Sequence, residues 1–351
     1  SVGSNIHLGN AGIVTAINFV KTDGSVVGGA MTGYNNDPGE NNVTTFIAGR
    51  GAGNNIQLQN SDGQSAHGNV LIGDGAGGSA QNGYDYNVSI GSYANNSLRD
   101  GLYNISIGYR ANPNVSTQNS SNTIAIGYET LNSFVGGGVG ATNGNNTVLG
   151  VNALDANTTG DFNVAIGLNA LTDNTGGTNN TAIGYESLAN VTTGNNNTAI
   201  GRETLFTNIL GDRNVAIGYR SLYTYDRSTS HDSYNVGVGN ETLYNTTTGA
   251  TNTAVGGLAL YANTTGGSNV AIGYAALDAN TTGDYNVAIG FNALTAQNAQ
   301  GYNTAVGANC MEATTSGQYN AAVGRLALGV NTTGSHNVAM GYGALDANTT
   351  G

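Results

Sequence analysis

A short run of residues recurs through this chain at a fixed interval. Residues 163–167 read Asn-Val-Ala-Ile-Gly, and close variants of this run begin at Asn180 and Asn197. The glycine that closes each run recurs with a 17-residue period from Gly150 to Gly218 and again from Gly239 to Gly341, with a four-residue insertion between the two series. A period of this length is typical of repeat proteins, in which each unit is one supersecondary element. This periodicity restricts the possible folds more than any other feature of the chain.

The units share residue types at fixed positions as well as a period. Twelve units follow residue 146, and the first position of the run is Asn in all twelve. The third position is Ala in ten units, and the residue four positions after the glycine is Leu in eleven. Six positions after that leucine comes Gly in ten units. Because this recurrence lies within one chain, it indicates the geometry with which the units stack.

The period predicts an all-β architecture. A 17-residue unit accommodates two strands of about five residues and two turns. One strand is expected at Val164 to Ile166, a second around Leu171, and a turn at residues 158–160. A unit of this size cannot bury a core alone, so the units must stack on one another. We therefore predict a parallel β-solenoid, or β-roll, with 17-residue coils.

Stacking places equivalent residues above one another, and the first asparagine of each run then forms a column. Amide side chains in such a column can hydrogen-bond from coil to coil, as Asn ladders do in cross-β structures. The residues predicted to form this structural ladder are Asn163, Asn180, Asn197, Asn214, Asn269 and Asn286.

The alanine of the run predicts an oligomer. If Ile166 points into the roll, Ala165 points outward, because neighbouring side chains of a strand face opposite ways. A small outward residue in ten units of twelve favours a close neighbour, such as another copy in a cyclic dimer or trimer. The opposite assignment, with alanine inside and isoleucine at the interface, predicts the same oligomer. The alternative is a monomeric solenoid in which alanine fills a narrow core.

Three regions follow from the regularity of the repeat. Residues 1–68 fit the pattern poorly and are expected to form an irregular β capping or adaptor region. Residues 69–145 are predicted to form a β-roll with irregular repeats and an insertion, and residues 146–351 a regular one. Because solenoid ends need caps and Gly351 falls at a repeat boundary, we expect the roll to continue in a longer protein.

Charge and composition narrow the function. The formal net charge is −12, with 21 acidic and nine basic residues, which gives no basic footprint for nucleic acid. No run of eighteen apolar residues exists, so no direct membrane insertion of this segment is expected. Cys310 is the one cysteine, and we interpret it as a packed thiol. No metal or other cofactor is expected.

Polar groups offer weak candidates for chemistry. Asp226, Asp232 and Glu241 lie near the four-residue insertion. A polysaccharide-cleaving enzyme would need a pair of acids there, but we interpret these three residues as solvated loop charges. The histidines are interpreted as ordinary turn or surface residues: His7, His67, His231 and His336. We expect a protein that is not an enzyme.

Two ligand-binding alternatives arise from the repeat itself. Calcium-binding solenoids need an aspartate in every unit, whereas Asp161, Asp212 and Asp284 occur in only some units. Ice binding would need a flat threonine face. The stacked threonines are adjacent residues of one turn, which does not favour a flat face: Thr158, Thr159, Thr264, Thr265, Thr281 and Thr282.

Aromatic residues flank the run in many units, either before the asparagine or after the glycine. Stacked in columns, they could form exposed stripes that bind sugars or proteins, or they could simply pack over neighbouring coils. The candidate surface-binding aromatics are Tyr185, Tyr219, Tyr274, Tyr285, Tyr302 and Tyr319.

Residues 69–351 carry a resemblance to a known family. The runs such as Ala182-Ile183-Gly184, followed by a small residue and glycine turns, resemble the head repeats of YadA-like trimeric autotransporter adhesins. The units here are longer than the usual ones of that family, because they add the leucine and the Asn-Thr-Thr-Gly turn. Similar repeats occur in the fibre proteins of tailed phages.

The resemblance implies a left-handed parallel β-roll, three chains wide, on an extracellular surface. It leads us to expect a structural or adhesive fibre segment, of a cell or a virion, that forms a homotrimer. The partners would be other copies of the chain and a host or cell-surface glycan or protein receptor. The alternatives are the polysaccharide-cleaving tailspike and the ice- or calcium-binding solenoid.

Overall fold

The computed structural model describes residues 45–53, 68–78, 84–97, 101–112, 120–134, 143–225 and 232–351. These residues form short β-strands joined by turns, and none of them is helical. The chain divides into two compact units, Ser1–Asp161 and Phe162–Gly351. From this point, the first unit and the second unit mean these two parts of the chain and not the 17-residue repeats.

Parallel pairing with irregular spacing characterises the first unit. Its strands are β1 (Phe46–Ala48), β2 (Val70–Ile72), β3 (Val88–Ile90), β4 (Ile105–Ile107), β5 (Ser120–Ser121), β6 (Ile124–Ile126), β7 (Asn143–Gly144) and β8 (Thr147–Leu149). Strands β1, β2, β3, β4, β6 and β8 pair in succession, and the length of chain between paired strands changes from coil to coil. Strands β5 and β7 pair separately, also in parallel.

The second unit repeats one pairing along its whole length. Its strands are β9 (Val164–Ile166), β10 (Thr181–Ile183), β11 (Thr198–Ile200), β12 (Val215–Ile217), β13 (Val236–Val238), β14 (Thr253–Val255), β15 (Val270–Ile272), β16 (Val287–Ile289), β17 (Thr304–Val306), β18 (Ala321–Val323) and β19 (Val338–Met340). Each strand pairs in parallel with the next, as Ala182 does with Ala199. The longer connection lies between β12 and β13, where Ala216 pairs with Gly237. The predicted parallel β-solenoid with 17-residue coils is confirmed.

Each regular coil contains one three-residue strand, so the second strand predicted around Leu171 was wrong. Asn169 and Leu171 both have φ of 54°, and a left-handed conformation at every second residue is incompatible with an extended strand. The segment is a turn that still bonds from coil to coil. Leu171 N–H donates to the Ser187 carbonyl at 3.0 Å.

The interior of the roll is lined by alanine and leucine. Ala165 and Leu171 are fully buried, whereas Val164 and Ile166 are only half-buried. Of the two assignments left open by the sequence, alanine therefore points inward and Ile166 points outward. The physical reason is that Leu171 enters the interior from the turn, which leaves the strand facing it room for only a small side chain.

The glycine after each strand is required by the close approach of neighbouring coils. Gly184 has φ of 136°, a conformation that L side chains rarely adopt. A Cβ at this position would also collide with the carbonyl of Gly201 in the next coil. Both constraints recur at most of the equivalent glycines, as at Gly167, Gly201 and Gly273, which explains why glycine is so regular at this position.

Candidate functional site

The predicted ladder asparagines lie inside the solenoid, and their side-chain amides hydrogen-bond to the backbone of neighbouring coils. Asn180 N–H donates to Asn163 Oδ1 at 2.9 Å, and Asn180 Nδ2 donates to the Gly194 carbonyl at 2.8 Å. Asn180 Oδ1 in turn accepts the N–H of Asn197 at 3.0 Å. The side chain of every predicted ladder residue is buried: Asn163, Asn180, Asn197, Asn214, Asn269 and Asn286. These amides hold the coils together and are not available to a ligand.

The turn before most of the ladder asparagines is closed by a second buried amide, whereas Val191 takes this position before Asn197. Asn174 Oδ1 accepts the N–H of Gly177 at 2.9 Å, and its Nδ2 donates to the carbonyl of the same glycine at 3.1 Å. Local bonds of this kind let Asn replace a backbone turn. They account for the Asn-Thr-Thr-Gly pattern without a binding role.

The first threonine of this turn directs its hydroxyl to the neighbouring coil. Thr264 Oγ1 donates to the Thr281 carbonyl at 2.9 Å, and Thr332 Oγ1 donates to the Thr349 carbonyl at 3.0 Å. The second threonine of the pair, such as Thr265 or Thr282, is exposed. The outward hydroxyls therefore form a single column and not a flat two-column array.

The aspartates considered for calcium serve as backbone acceptors. Asp284 Oδ1 accepts the N–H of Gly267 at 2.6 Å, and Asp161 Oδ1 accepts that of Gly144 at 2.9 Å. Asp212 Oδ1 accepts the N–H of Asn195, one coil earlier, at 2.5 Å. Burial raises the pKa of Asp161, and the backbone hydrogen bond opposes that rise. Across the described ranges, no group of three His, Cys, Asp or Glu side chains is placed to hold a metal ion.

Three of the candidate tyrosines form one stack on the surface. Tyr285 and Tyr302 have ring centroids 5.2 Å apart, Tyr302 and Tyr319 5.1 Å, and Tyr319 and His336 5.0 Å. About half of each tyrosine side chain is exposed. Because neighbouring rings cover each other's faces, the stack presents ring edges and hydroxyl groups to solvent. Such edges do not offer the flat platform on which a sugar would stack.

The other candidate tyrosines are held by different neighbours. Tyr274 stacks on Phe291 at 5.8 Å. The guanidinium carbon of Arg202 lies 5.5 Å from the Tyr185 ring centroid and 5.8 Å from that of Tyr219, so a cation–π sandwich separates these two rings.

Sequence reasoning missed the ionic cluster at this place. Glu203 Oε1 accepts from Arg202 Nε at 2.8 Å, and Glu203 Oε2 accepts from Arg220 Nε at 2.5 Å. Only 7% of the Glu203 side chain is exposed. Burial acts to raise the pKa of Glu203, but the hydrogen bonds and charges of Arg220 and Arg202 outweigh it and hold the pKa below its usual range.

A second aromatic stack was also missed. Phe206, Tyr223, Tyr244 and Tyr261 follow one another with centroids 5.1 to 5.4 Å apart. Each lies five positions after the glycine that closes its run, so the repeat register alone contained the signal.

The remaining polar candidates have structural partners. Asp232 forms an ion pair with Arg213 and accepts a hydrogen bond from the Tyr234 hydroxyl at 3.0 Å. Cys310 is buried, and burial raises the pKa of its thiol to about 11. Some candidates lie outside the described residues: His7, His67, His231 and Asp226. Among the residues that the structure describes, no helix is long and apolar enough to cross a membrane.

The outward face of the strands is an uncharged surface that runs along the second unit. The first and third residues of β9 to β19 point outward, and all of them are Val, Ile, Thr, Ala or Met. Ile200, Ile272 and Val323 are 36%, 39% and 40% exposed. The ten intervals between eleven strands, at about 4.8 Å each, give this face a length of roughly 48 Å.

The fold defines the chain as a repeat protein of the parallel β-solenoid class. Comparison with protein-family models, with curated proteins and with solved structures finds no match to this chain. What the chain does must therefore be argued from its own surfaces.

Proposed function

We propose that the chain is an extracellular fibre segment, structural and adhesive in function, that assembles as a homotrimer. The apolar outward face of the strands would form the contact between copies. The rest of the surface would attach to a glycan or protein of a host or cell.

The single observation that carries this proposal is the uncharged outward face of β9 to β19. Contiguous apolar patches on soluble monomers rarely exceed a few hundred Å², and larger ones mark interaction sites. Two columns about 7 Å apart and roughly 48 Å long cover on the order of 300 Å², which is the size of the largest apolar patch on a typical monomer, a patch that is often functional. Tyr274 and Phe291, each about half exposed, extend the patch at one side.

A repetitive surface suits attachment through many weak contacts. The same side chains recur in successive coils, so a weak contact at one coil would be repeated along the fibre. Linking several weak sites raises the overall affinity without a strong single site. The resemblance to adhesin heads and to phage fibres supports the extracellular setting, and both identities fit the proposal.

Light scattering in solution tests the assembly. We expect a mass three times the 35.4 kDa of one chain. The paired change Ile272→Lys with Ile289→Lys places two charges on the outward face and should yield monomers. The matched control is Thr265→Lys with Thr282→Lys, on exposed turn positions of the same region, which should leave the mass unchanged. A wild-type mass of a single chain would contradict the trimer.

Binding to host surfaces tests the adhesive part. Labelled wild-type protein should bind intact cells or immobilised surface glycans more tightly than the double variant Ile272→Lys with Ile289→Lys, because a monomer has fewer linked binding sites and so lower avidity. Release of oligosaccharides from those glycans during incubation would show an enzyme and overturn the proposal. The remainder of the reading frame separates the two identities: a membrane anchor indicates an adhesin, and a virion-attachment domain indicates a phage fibre.

A further inference from the structure

The stack of Tyr285, Tyr302 and Tyr319 places three phenols in successive coils, with ring centroids 5.2 and 5.1 Å apart. The ring planes are inclined by only 17° and 16° between neighbours. The backbone fixes this arrangement, since Tyr285 N–H donates to the Gly267 carbonyl and Tyr302 N–H to the Asp284 carbonyl, both at 3.1 Å. Half of each side chain remains open to solvent and to small oxidants.

We propose that Tyr302 is an oxidative cross-linking site, which becomes joined to Tyr285 or Tyr319 by a carbon–carbon bond between their rings. The co-reactant is hydrogen peroxide. A haem peroxidase uses it to remove one electron from each phenol. The product is a dityrosine that links one coil covalently to the next within the same chain.

The chemistry balances with this oxidant. Each phenol loses one electron and its hydroxyl proton to become a phenoxyl radical, and the two electrons and two protons reduce one hydrogen peroxide to two waters. The two radicals couple at ring carbons ortho to oxygen, because the para carbon already carries the side chain. Each coupled ring then moves its ortho hydrogen to oxygen and recovers its aromaticity. The rings must tilt about the new bond, which their exposed positions permit.

The other tyrosines of the second unit differ from this stack either in their ring partner or in their exposure. Tyr274 stacks on Phe291, which has no phenol. Tyr185 and Tyr219 are separated by the Arg202 guanidinium. The second aromatic stack has comparable spacing, but its tyrosines are half-buried, so an oxidant reaches them less readily.

The cross-link would stabilise the contact between neighbouring coils, where a solenoid begins to unfold. Each coil contacts only its neighbours, so coils can separate one after another from a free edge. A covalent bond between equivalent positions of adjacent coils closes a short loop and restricts the unfolded chain, as a disulfide does. The inference uses only the chain's own stacked phenols and does not depend on the proposed fibre function.

The test starts from unlabelled and nitrogen-15-labelled full chain that are unfolded and refolded together in equal amounts, so that any oligomer contains both labels. The mixture is then treated with hydrogen peroxide and a haem peroxidase. After proteolysis, mass spectrometry should find peptide pairs, lacking two hydrogens, that join Tyr302 to Tyr285 or Tyr319. Both peptides of a pair should carry the same label, because the link lies within one chain. Absence of these pairs, or pairs of mixed label, would overturn the proposal.

Two variants with conserved ring shape complete the test. Tyr302→Phe keeps the stack but removes the central phenol, so these peptide pairs should disappear. Tyr274→Phe is the matched control and should leave their yield unchanged. After oxidation, wild-type protein should unfold several degrees higher than Tyr302→Phe, whereas the untreated proteins should unfold together. Equal midpoints of thermal unfolding for oxidised wild type and oxidised Tyr302→Phe would contradict a stabilising role of the cross-link.

Discussion

Some coils of the first unit fill the interior position differently from the coils of the second unit, although the coil of β6 has the same buried pair, Ala125 and Leu131. In the coil of β9, the strand contributes Ala165 and the turn contributes Leu171, both buried. In the coil of β2 the sizes are exchanged, because the strand contributes the buried Leu71 and the turn contributes Gly77. A Cβ on Gly77 would lie 3.0 Å from Leu71 Cδ2. The centre of the strand and the turn therefore share one volume, which either of them can occupy.

The coil of β3 shows a third, polar solution. Asn95 Nδ2 donates to Ser89 Oγ at 2.9 Å, and the hydroxyls of Ser89 and Tyr84 lie 2.8 Å apart. All three side chains are fully buried. Burying polar groups is tolerated because each finds a partner. The comparison teaches that the interior requires matched volume and satisfied hydrogen bonds, and that Ala with Leu is only the commonest answer.

The backbone of the turn is the same in all three solutions. Gly77, Asn95 and Leu171 have φ of 58°, 48° and 54°. Glycine adopts this conformation freely and asparagine tolerates it, whereas it costs other residues about 1–2 kcal/mol. Full burial of a leucine contributes about 1.5–3 kcal/mol. Leucine is therefore retained at this position because its burial offsets the strain.

A leucine in place of Gly77, while Leu71 is kept, should lower the stability of the fold most. Gly77→Leu adds a side chain to space that Leu71 fills, and it imposes left-handed strain. We expect a loss of about 4 kcal/mol in the free energy of unfolding, from overpacking and strain together. Urea unfolding measures the loss.

The double variant Gly77→Leu with Leu71→Ala recreates the pair found in the second unit. It should recover much of the stability lost by Gly77→Leu, with a coupling energy of about 1–3 kcal/mol in a double-mutant cycle. Simple additivity of the two changes would show that the positions do not share one volume.

The asparagine ladder should respond alike in both units. Asn197→Ala leaves the N–H of Asn214 without its side-chain acceptor and removes one of the two amides that donate to the carbonyl of Gly211. Asn87→Ala removes the acceptor of the Asn104 N–H and the amide that donates to the carbonyl of Gly101. Each change should cost about 3 kcal/mol, since a buried unpaired group costs about 1–3 kcal/mol. Hydrogen exchange of the two orphaned amides, with exposed Asn240→Ala as control, locates the effect.

The polar solution of the first unit should not transfer to the second. Ser89→Ala removes a partner of Asn95 and of Tyr84, and Ala288→Ser buries a hydroxyl in a coil where the turn contributes the buried Ala293. Each variant should lose about 2 kcal/mol on thermal or urea unfolding, because a buried polar group is left unpaired. A neutral Ala288→Ser would mean that the regular coils accept hydroxyls as readily as the irregular ones.

The regularity of the repeat made the fold predictable, because the 17-residue period of the glycines fixes the register of the stack. The orientation of the strand was not predictable from it. An alternating Val-Ala-Ile run has two faces, and its inner face became evident only from the place of Leu171. A left-handed leucine is not expected from sequence, because leucine rarely adopts this conformation. The cluster of Arg202, Glu203 and Arg220 was missed because aromatic columns were considered without the charges beside them.

The smallest expected effect depends on pH and should have the same sign in both units. Burial raises the pKa of Asp155 in the first unit and of Asp278 in the second. A carboxyl with a raised pKa in the folded state contributes stability below its unfolded pKa of about 3.9, and that contribution is lost as the pH rises through the folded pKa. Asp155→Asn and Asp278→Asn should therefore unfold at slightly higher urea concentrations than wild type at pH 7, with the advantage disappearing near pH 3. Glu203→Gln is the control of opposite sign, because the lowered pKa of Glu203 makes its charge stabilising at pH 7. If one Asn variant is more stable than wild type at pH 7 and the other is less stable, then the two units do not bury these carboxyls alike.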